Sequence, residues 1–173
     1  PSDGGVFVPY SIEDMRRWIY YIDESTSFTS IAGSLTSAIM NDEYWQIAAD
    51  ALTWAEDNHE VLKYARYFGN DPAEGVYGYS CFLGNQGIIS FTNPLDEPQT
   101  YILNVDGTIG ASKELTGARG YQVHPYEEKD LGELTYGDTI TVELEPHQTI
   151  IYQYGLVDAE APTIVSARSE GEK

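Results

Sequence analysis

The sequence is poor in cysteine, in basic residues and in long apolar runs, and each shortage removes a class of explanation. Cys81 is the one cysteine in 173 residues. There is thus no intrachain disulfide and no cysteine-based metal site, and within a strand-like pattern this thiol reads as a small buried hydrophobe rather than a nucleophile. Nine lysines and arginines stand against 28 aspartates and glutamates, a formal charge of −19. Such a surface repels phosphate backbones and anionic lipid, so neither nucleic acid nor membrane is expected as a partner. No run approaches the ~20 apolar residues that a membrane-spanning helix needs. No basic-then-apolar leader opens the chain, and residues 1–5 read as an interior stretch.

The usual signatures of chemistry are missing as well. There is no G-x-S-x-G, no Walker loop and no G-x-G-x-x-G. His59, His124 and His147 stand at neither helical nor strand-alternate spacing, so no metal site is expected, and no cofactor is implied.

Aromatic residues are plentiful: 14 Tyr, 5 Phe and 3 Trp make 13% of the chain. Tyrosine favours strands and tolerates half-buried positions because its ring is apolar and its tip polar. Aromatic faces also suit sugar rings, and a neutral sugar is compatible with an acidic surface. Hydrophobic content of 42% is enough for a packed core.

The first seventy residues are written mostly in helical grammar. Ser11 and Asp14 approximate a capping box, and Ile12, Met15, Trp18, Ile19 and Ile22 share a helical face, predicting a helix over residues 12–22. Residues 28–35 form a small-residue segment that is either a buried strand or a loop. A second, stronger helix begins at Asn41 or Asp42, with Asp42 and Glu43 at the positive end of its dipole. Its expected apolar stripe is Trp45, Ala48, Ala49, Leu52, Ala55, Leu62 and Ala65. Lys63 and Arg66 suit its last turn and Gly69 its end, with a kink or break at Asn58-His59.

After Asp71-Pro72 the period changes to two. Tyr77, Tyr79, Cys81 and Leu83 share one face of a strand. Gly84 to Gly87, GNQG, supplies a tight reversal, residues 88–92 return, and NPLDEP (93–98) turns into a third strand over 99–105, in the manner of a meander. Residues 106–130 are weakly patterned, with room for one or two short strands. Ile140, Val142 and Leu144 then alternate with polar neighbours, and a last strand covers 148–154. Six or seven short strands at this spacing predict an antiparallel sandwich. The fold class is therefore α+β: an N-terminal helical segment over residues 1–70 packed on an antiparallel β-sandwich over 71–157. A linker toward a further module follows over 158–173.

Paired carboxylates are the groups glycoside hydrolysis needs. Glu13-Asp14 and Asp42-Glu43 are explained by helix starts, and Glu56-Asp57 by a helix surface. Asp23-Glu24 closes a helix, where acids are slightly unfavourable, but it too falls short of a catalytic pair. No catalytic residue is assigned.

Three stretches carry a family resemblance. Residues 42–72, DEYWQIAADALTWAEDNHEVLKYARYFGNDP, resemble the last barrel-side helix of a multidomain bacterial glycoside hydrolase, α-galactosidase-like. In such enzymes a (β/α)₈ barrel leads into a C-terminal β-sandwich. Residues 76–94, VYGYSCFLGNQGIISFTNP, resemble the first hairpin of that sandwich, and 136–154, YGDTITVELEPHQTIIYQY, its closing strand pair. The resemblance implies a non-catalytic C-terminal portion whose sandwich supports the barrel. Its partner would be the rest of the barrel in the parent chain, and its location outside the cell or on its surface. It also implies that residues 27–37, SFTSIAGSLTS, are the eighth barrel strand, with Ser34 and Thr36 facing the sugar site. Two other readings stand beside it: a glycan-binding sandwich using Tyr79, Tyr101, Tyr152 and Tyr154 as surface platforms, and an independent interaction or adhesion domain.

Overall fold

A computed structural model describes residues 41–72, 74–125 and 129–155. The expected helix at 12–22, the segment at 28–35 with Ser34 and Thr36, the acid pairs Glu13-Asp14 and Asp23-Glu24, and the tail at 158–173 lie outside the described residues.

Helix α1, Asp42–Asp57, starts where the sequence predicts. The Oδ1 of Asn41 accepts the Tyr44 N–H at 2.9 Å, filling one of the donors a helix start leaves free. The helix stops at Asn58, whose Nδ2 donates to the Trp54 carbonyl at 2.8 Å. A single turn, α2 (His59–Leu62), follows.

The helix does not run on to Gly69. Residues Arg66–Gly69 form strand β1 instead, paired antiparallel to β2 with Tyr67 opposite Tyr79 and Gly69 opposite Tyr77. Tyr67 and Phe68 prefer an extended backbone, and the sheet offers Phe68 a buried place. Gly69 is required for a reason other than capping. Its φ is +97°, and a Cβ there would stand 2.5 Å from the Val76 carbonyl oxygen.

The strands that follow are β2 (Tyr77–Leu83), β3 (Gln86–Thr92), β4 (Gln99–Asn104), β5 (Ala118–His124), β6 (Asp130–Leu134), β7 (Thr139–Leu144) and β8 (Thr149–Tyr154), with a 3₁₀ turn at Gly107–Ile109. They build a six-stranded sheet ordered β1-β2-β3-β8-β5-β6 and a two-stranded sheet, β4-β7. The α+β sandwich is therefore present, but two expected neighbourhoods are not. β4 does not continue a meander beside β3, and β7 and β8 do not pair with each other. Each consecutive pair is split between the two sheets.

Asn93 makes the first of these crossings. Wholly buried, its Nδ2 donates to the carbonyls of Glu97 at 2.8 Å and Glu145 at 3.0 Å. Its Oδ1 accepts the Leu95 N–H at 3.1 Å. One side chain thus satisfies the backbone where the chain leaves one layer for the other.

Two apolar layers result. Between the sheets lie Phe68, Phe82, Phe91, Leu103, Val142, Leu144 and Tyr152 with their neighbours. Phe91 stands edge-on to Phe68 and to Tyr152, at 5.5 and 5.7 Å between ring centres. On the other face of the large sheet, Ile47, Ala48, Ala51, Trp54 and Ala55 of α1 pack on Cys81, Ile88, Val123 and Ile151. Cys81 is the buried small hydrophobe its setting predicts. The stripe is rotated from the expected one: Ala48 and Ala55 hold, Leu52 is half-buried, and Trp45, Ala49 and Ala65 are exposed. Small alanines lie under the helix because a sheet face admits a helix closely only where side chains are short.

Candidate functional site

Two places among the described residues are candidate sites. The first is the joint between α1 and β8. The Trp54 indole Nε1 donates to Gln153 Oε1 at 2.9 Å, and Gln153 Nε2 donates to Asn58 Oδ1 at 2.5 Å. Asn58 returns to the Trp54 carbonyl, so three side chains close a loop. Gln153 is 3% exposed, where an unpaired amide is costly. The indole and the helix break provide its partners. The joint fixes where α1 sits on the sheet. It carries no acid, nucleophile or metal-ligating group and so has no chemistry of its own.

The second is a cleft at the far edge of the sandwich. Among the described residues β6 ends the large sheet and β7 has β4 alone as its partner, so both present an edge without a strand neighbour there. The turn joining them is pegged on either side of the gap. Tyr136 N–H donates to the Leu115 carbonyl and Gly137 N–H to that of Val105, at 2.9 and 2.8 Å. The Oδ2 of Asp138 accepts the Thr135 N–H at 2.7 Å. Beyond this turn the strands part, one into each sheet, and leave a cleft of about 450 Å³. Asp130, Glu133, Asp138, Thr139, Thr141 and Tyr154 are among its lining residues.

Two of the three carboxylates of this cleft, Asp130 and Asp138, are already engaged. Arg119 Nη2 donates to Asp130 Oδ2 at 2.5 Å, and Gly132 N–H to Asp130 Oδ1 at 2.9 Å. These bonds hold the Asp130 carboxyl below its ordinary value. Burial, then the neighbouring Tyr152, pushes the Tyr154 hydroxyl up. The Tyr154 ring lies across Gly120, where a Cβ would come within 2.2 Å of it. A glycine is needed in β5 to leave that room.

The four tyrosines do not meet on one exposed face. Tyr152 and Tyr154 are 5% and 4% exposed and point into the sandwich. Tyr101 is half-buried in the same layer, 5.9 Å from the Phe68 ring centre. Tyr79 lies on the opposite face of the large sheet, edge-on to Tyr67 at 5.6 Å. Alternation places these residues on strand faces but gives no hint of which faces the second sheet and the helix cover. Only Tyr152 and Tyr154 line the cleft. Ser34 and Thr36 lie outside the described residues.

Asp42, Glu43, Glu56 and Asp57 are exposed on α1. Among the described residues, no group of three or more His, Cys, Asp or Glu side chains stands close enough to hold a metal ion. His147 pairs with Asp96 at 2.7 Å on the surface. The sequence marks Asn58 as a kink or break in the helix but not as a polar partner, and it leaves Gln153 unmarked. The one trace of Gln153 is a lone amide inside the apolar run TIIYQY (149–154).

No protein-family model matches the chain, and no curated protein matches it. Solved structures do. A noncanonical maltogenic α-amylase from Thermotoga neapolitana is 16% identical with a TM-score of 0.54, matched over 86% of this chain and 38% of its own. A candidate α-galactosidase from Bacteroides fragilis is 17% identical with a TM-score of 0.51, over 86% of this chain and 30% of its own. At such identity the likeness is one of fold. Both are glycoside hydrolases, and the chain spans only 30–38% of their length. The sequence-level resemblance to part of such an enzyme is thus met by the fold.

Proposed function

We propose that this chain is the non-catalytic C-terminal portion of a carbohydrate-active glycoside hydrolase, in which the sandwich is the bed for helices of the catalytic barrel. The observation that carries this reading is the position of α1. The helix lies on the outer face of the six-stranded sheet, its Ile47, Ala51 and Trp54 covering Cys81, Ile88 and Ile151, and its place is set by the Trp54–Gln153–Asn58 loop. A helix held from below in this way still offers its upper side, Trp45 included, to further elements. Burial of a side chain as large as Trp54 stabilises by roughly 1.5–3 kcal/mol, enough to make the sheet a useful foundation.

On this reading the parent acts on glycosides outside the cell or at its surface, its catalytic acids lie elsewhere in the parent chain, and Ser34 and Thr36 face its sugar. The purified 173-residue chain is then inactive toward aryl α-galactosides, α-glucosides and β-arabinosides. Turnover that disappears on changing an acid within this chain would refute the reading.

A further inference from the structure

The cleft between β6 and β7 has a property that the supporting role does not use. Tyr154 is 4% exposed and lines the cleft, yet its hydroxyl has no hydrogen-bond partner among the described residues. A buried hydroxyl left unpaired costs about 1–3 kcal/mol, and Phe in its place would avoid that cost with the same ring.

The walls offer further hydrogen-bonding groups, among them the Thr139 hydroxyl, which donates to Asn104 Oδ1 at 3.3 Å and keeps its acceptor side. Four consecutive residues, Asp138 to Thr141, line the cleft together with residues on both faces of β6. Side chains alternate across a strand, so a run of neighbours lines a space only where the strand presents its edge. In an antiparallel strand every second residue turns both its N–H and its C=O to the same side. The open edges of β6 and β7 therefore turn peptide donors and acceptors toward the gap, beside the hydroxyls of Thr139, Thr141 and Tyr154.

The chemistry of the occupant follows by elimination. A chain with a formal charge of −19 disfavours an anion. A cation would need several carboxylates gathered round it, but among the described residues no group of three or more acidic, His or Cys side chains could hold one, Asp130 is neutralised by Arg119 and Asp138 is bonded to the Thr135 N–H. What is left is neutral and hydrogen-bonding: hydroxyls and peptide edges, over a floor of two tyrosine rings. The volume of about 450 Å³ falls within the ~300–1,000 Å³ usual for small-molecule sites. From these observations we infer that the cleft binds one ring of a neutral sugar, with Tyr154 meeting a ring hydroxyl and Thr139, Thr141 and the strand edges holding the others. The inference does not depend on the parent being a hydrolase, because every group it uses lies in β6, β7 and β8.

The test uses the 173-residue chain with glucose, galactose, arabinose and maltose as probes, by titration calorimetry and saturation-transfer NMR. At least one of these sugars is expected to bind saturably. Tyr154→Phe is expected to fold with unchanged or raised Tm and to weaken that binding at least tenfold, about 1.4 kcal/mol. Thr141→Ala is expected to weaken it less, and Thr100→Ala, on the exposed face of the neighbouring strand, to leave it unchanged. Absence of saturable binding by all four sugars overturns the inference. So does a sugar that binds Tyr154→Phe as well as it binds the unaltered chain, since its site would then lie elsewhere. Loss of hydrolase function in a parent protein leaves this result untouched, so the two proposals fail separately.

Discussion

The indole N–H of Trp54 meets the side-chain oxygen of Gln153 at 2.9 Å, ninety-nine residues apart in sequence, and so joins the helical layer to the middle of the sheet. β8 lies between β3 and β5, and all six of its residues are buried. Gln153 is the residue on that strand whose polarity has to be answered by the helix.

Replacing Gln153 by Leu keeps the volume and leaves both the Trp54 N–H and the Asn58 amide oxygen without their partner. Each stranded group costs about 1–3 kcal/mol. Urea unfolding is expected to show a loss in that range or somewhat above it. Pairing Gln153→Leu with Trp54→Phe is expected to cost less than the sum of the two, because the second change removes one of the stranded donors.

The two tryptophans of α1 are expected to separate cleanly. Trp54 is buried under the helix and Trp45 is 46% exposed. Trp54→Ala is expected to cost about 3–5 kcal/mol, whereas Trp45→Ala stays within about 0.5 kcal/mol. Equal losses would mean that the helix sits on its other stripe.

Asn93→Ala removes the acceptor and the donors that hold the crossing between layers. With buried carbonyls left bare, a loss of about 2–3 kcal/mol is expected in denaturant unfolding. Asn93→Asp is not a rescue, since a carboxylate cannot donate to those carbonyls.

The Arg119–Asp130 pair predicts a pH dependence of defined sign. The hydrogen bond from Arg119, then that from Gly132, lowers the folded-state pKa of Asp130. The stability it contributes is fully present above the ordinary value of 3.8 and is lost as the pH falls through the lowered folded value. The pair is exposed, so the effect is small. Arg119→Gln is expected to remove most of it, which thermal melts from neutral to acid pH will show as a shallower decline than in the unaltered chain.

How far the fold was legible depended on whether the deciding contacts were local. The cap at Asn41, the reversal at Gly84-Asn85 and the alternation of Ile140, Val142 and Leu144 are written within a few residues, and the structure has them in place. Arg66–Gly69 was misread because basic residues followed by glycine have the local form of a helix end. The pairing that makes them a strand lies with Tyr77–Ser80. The split of β3 from β4 and of β7 from β8 is likewise a choice between layers, which hydrophobic alternation does not encode. The cleft was the least legible, since it arises from two strand edges that lack strand neighbours among the described residues.

Native-state hydrogen exchange of the α1 amides tests the central claim most directly, namely that helix and sheet are one cooperative structure. The account predicts that the amides of residues 46–55 open with the same free energy as those of β3 and β8, and that Gln153→Leu lowers both together. Helix amides that exchange far more readily than the sheet, with the sheet unaffected when the helix opens, would contradict it.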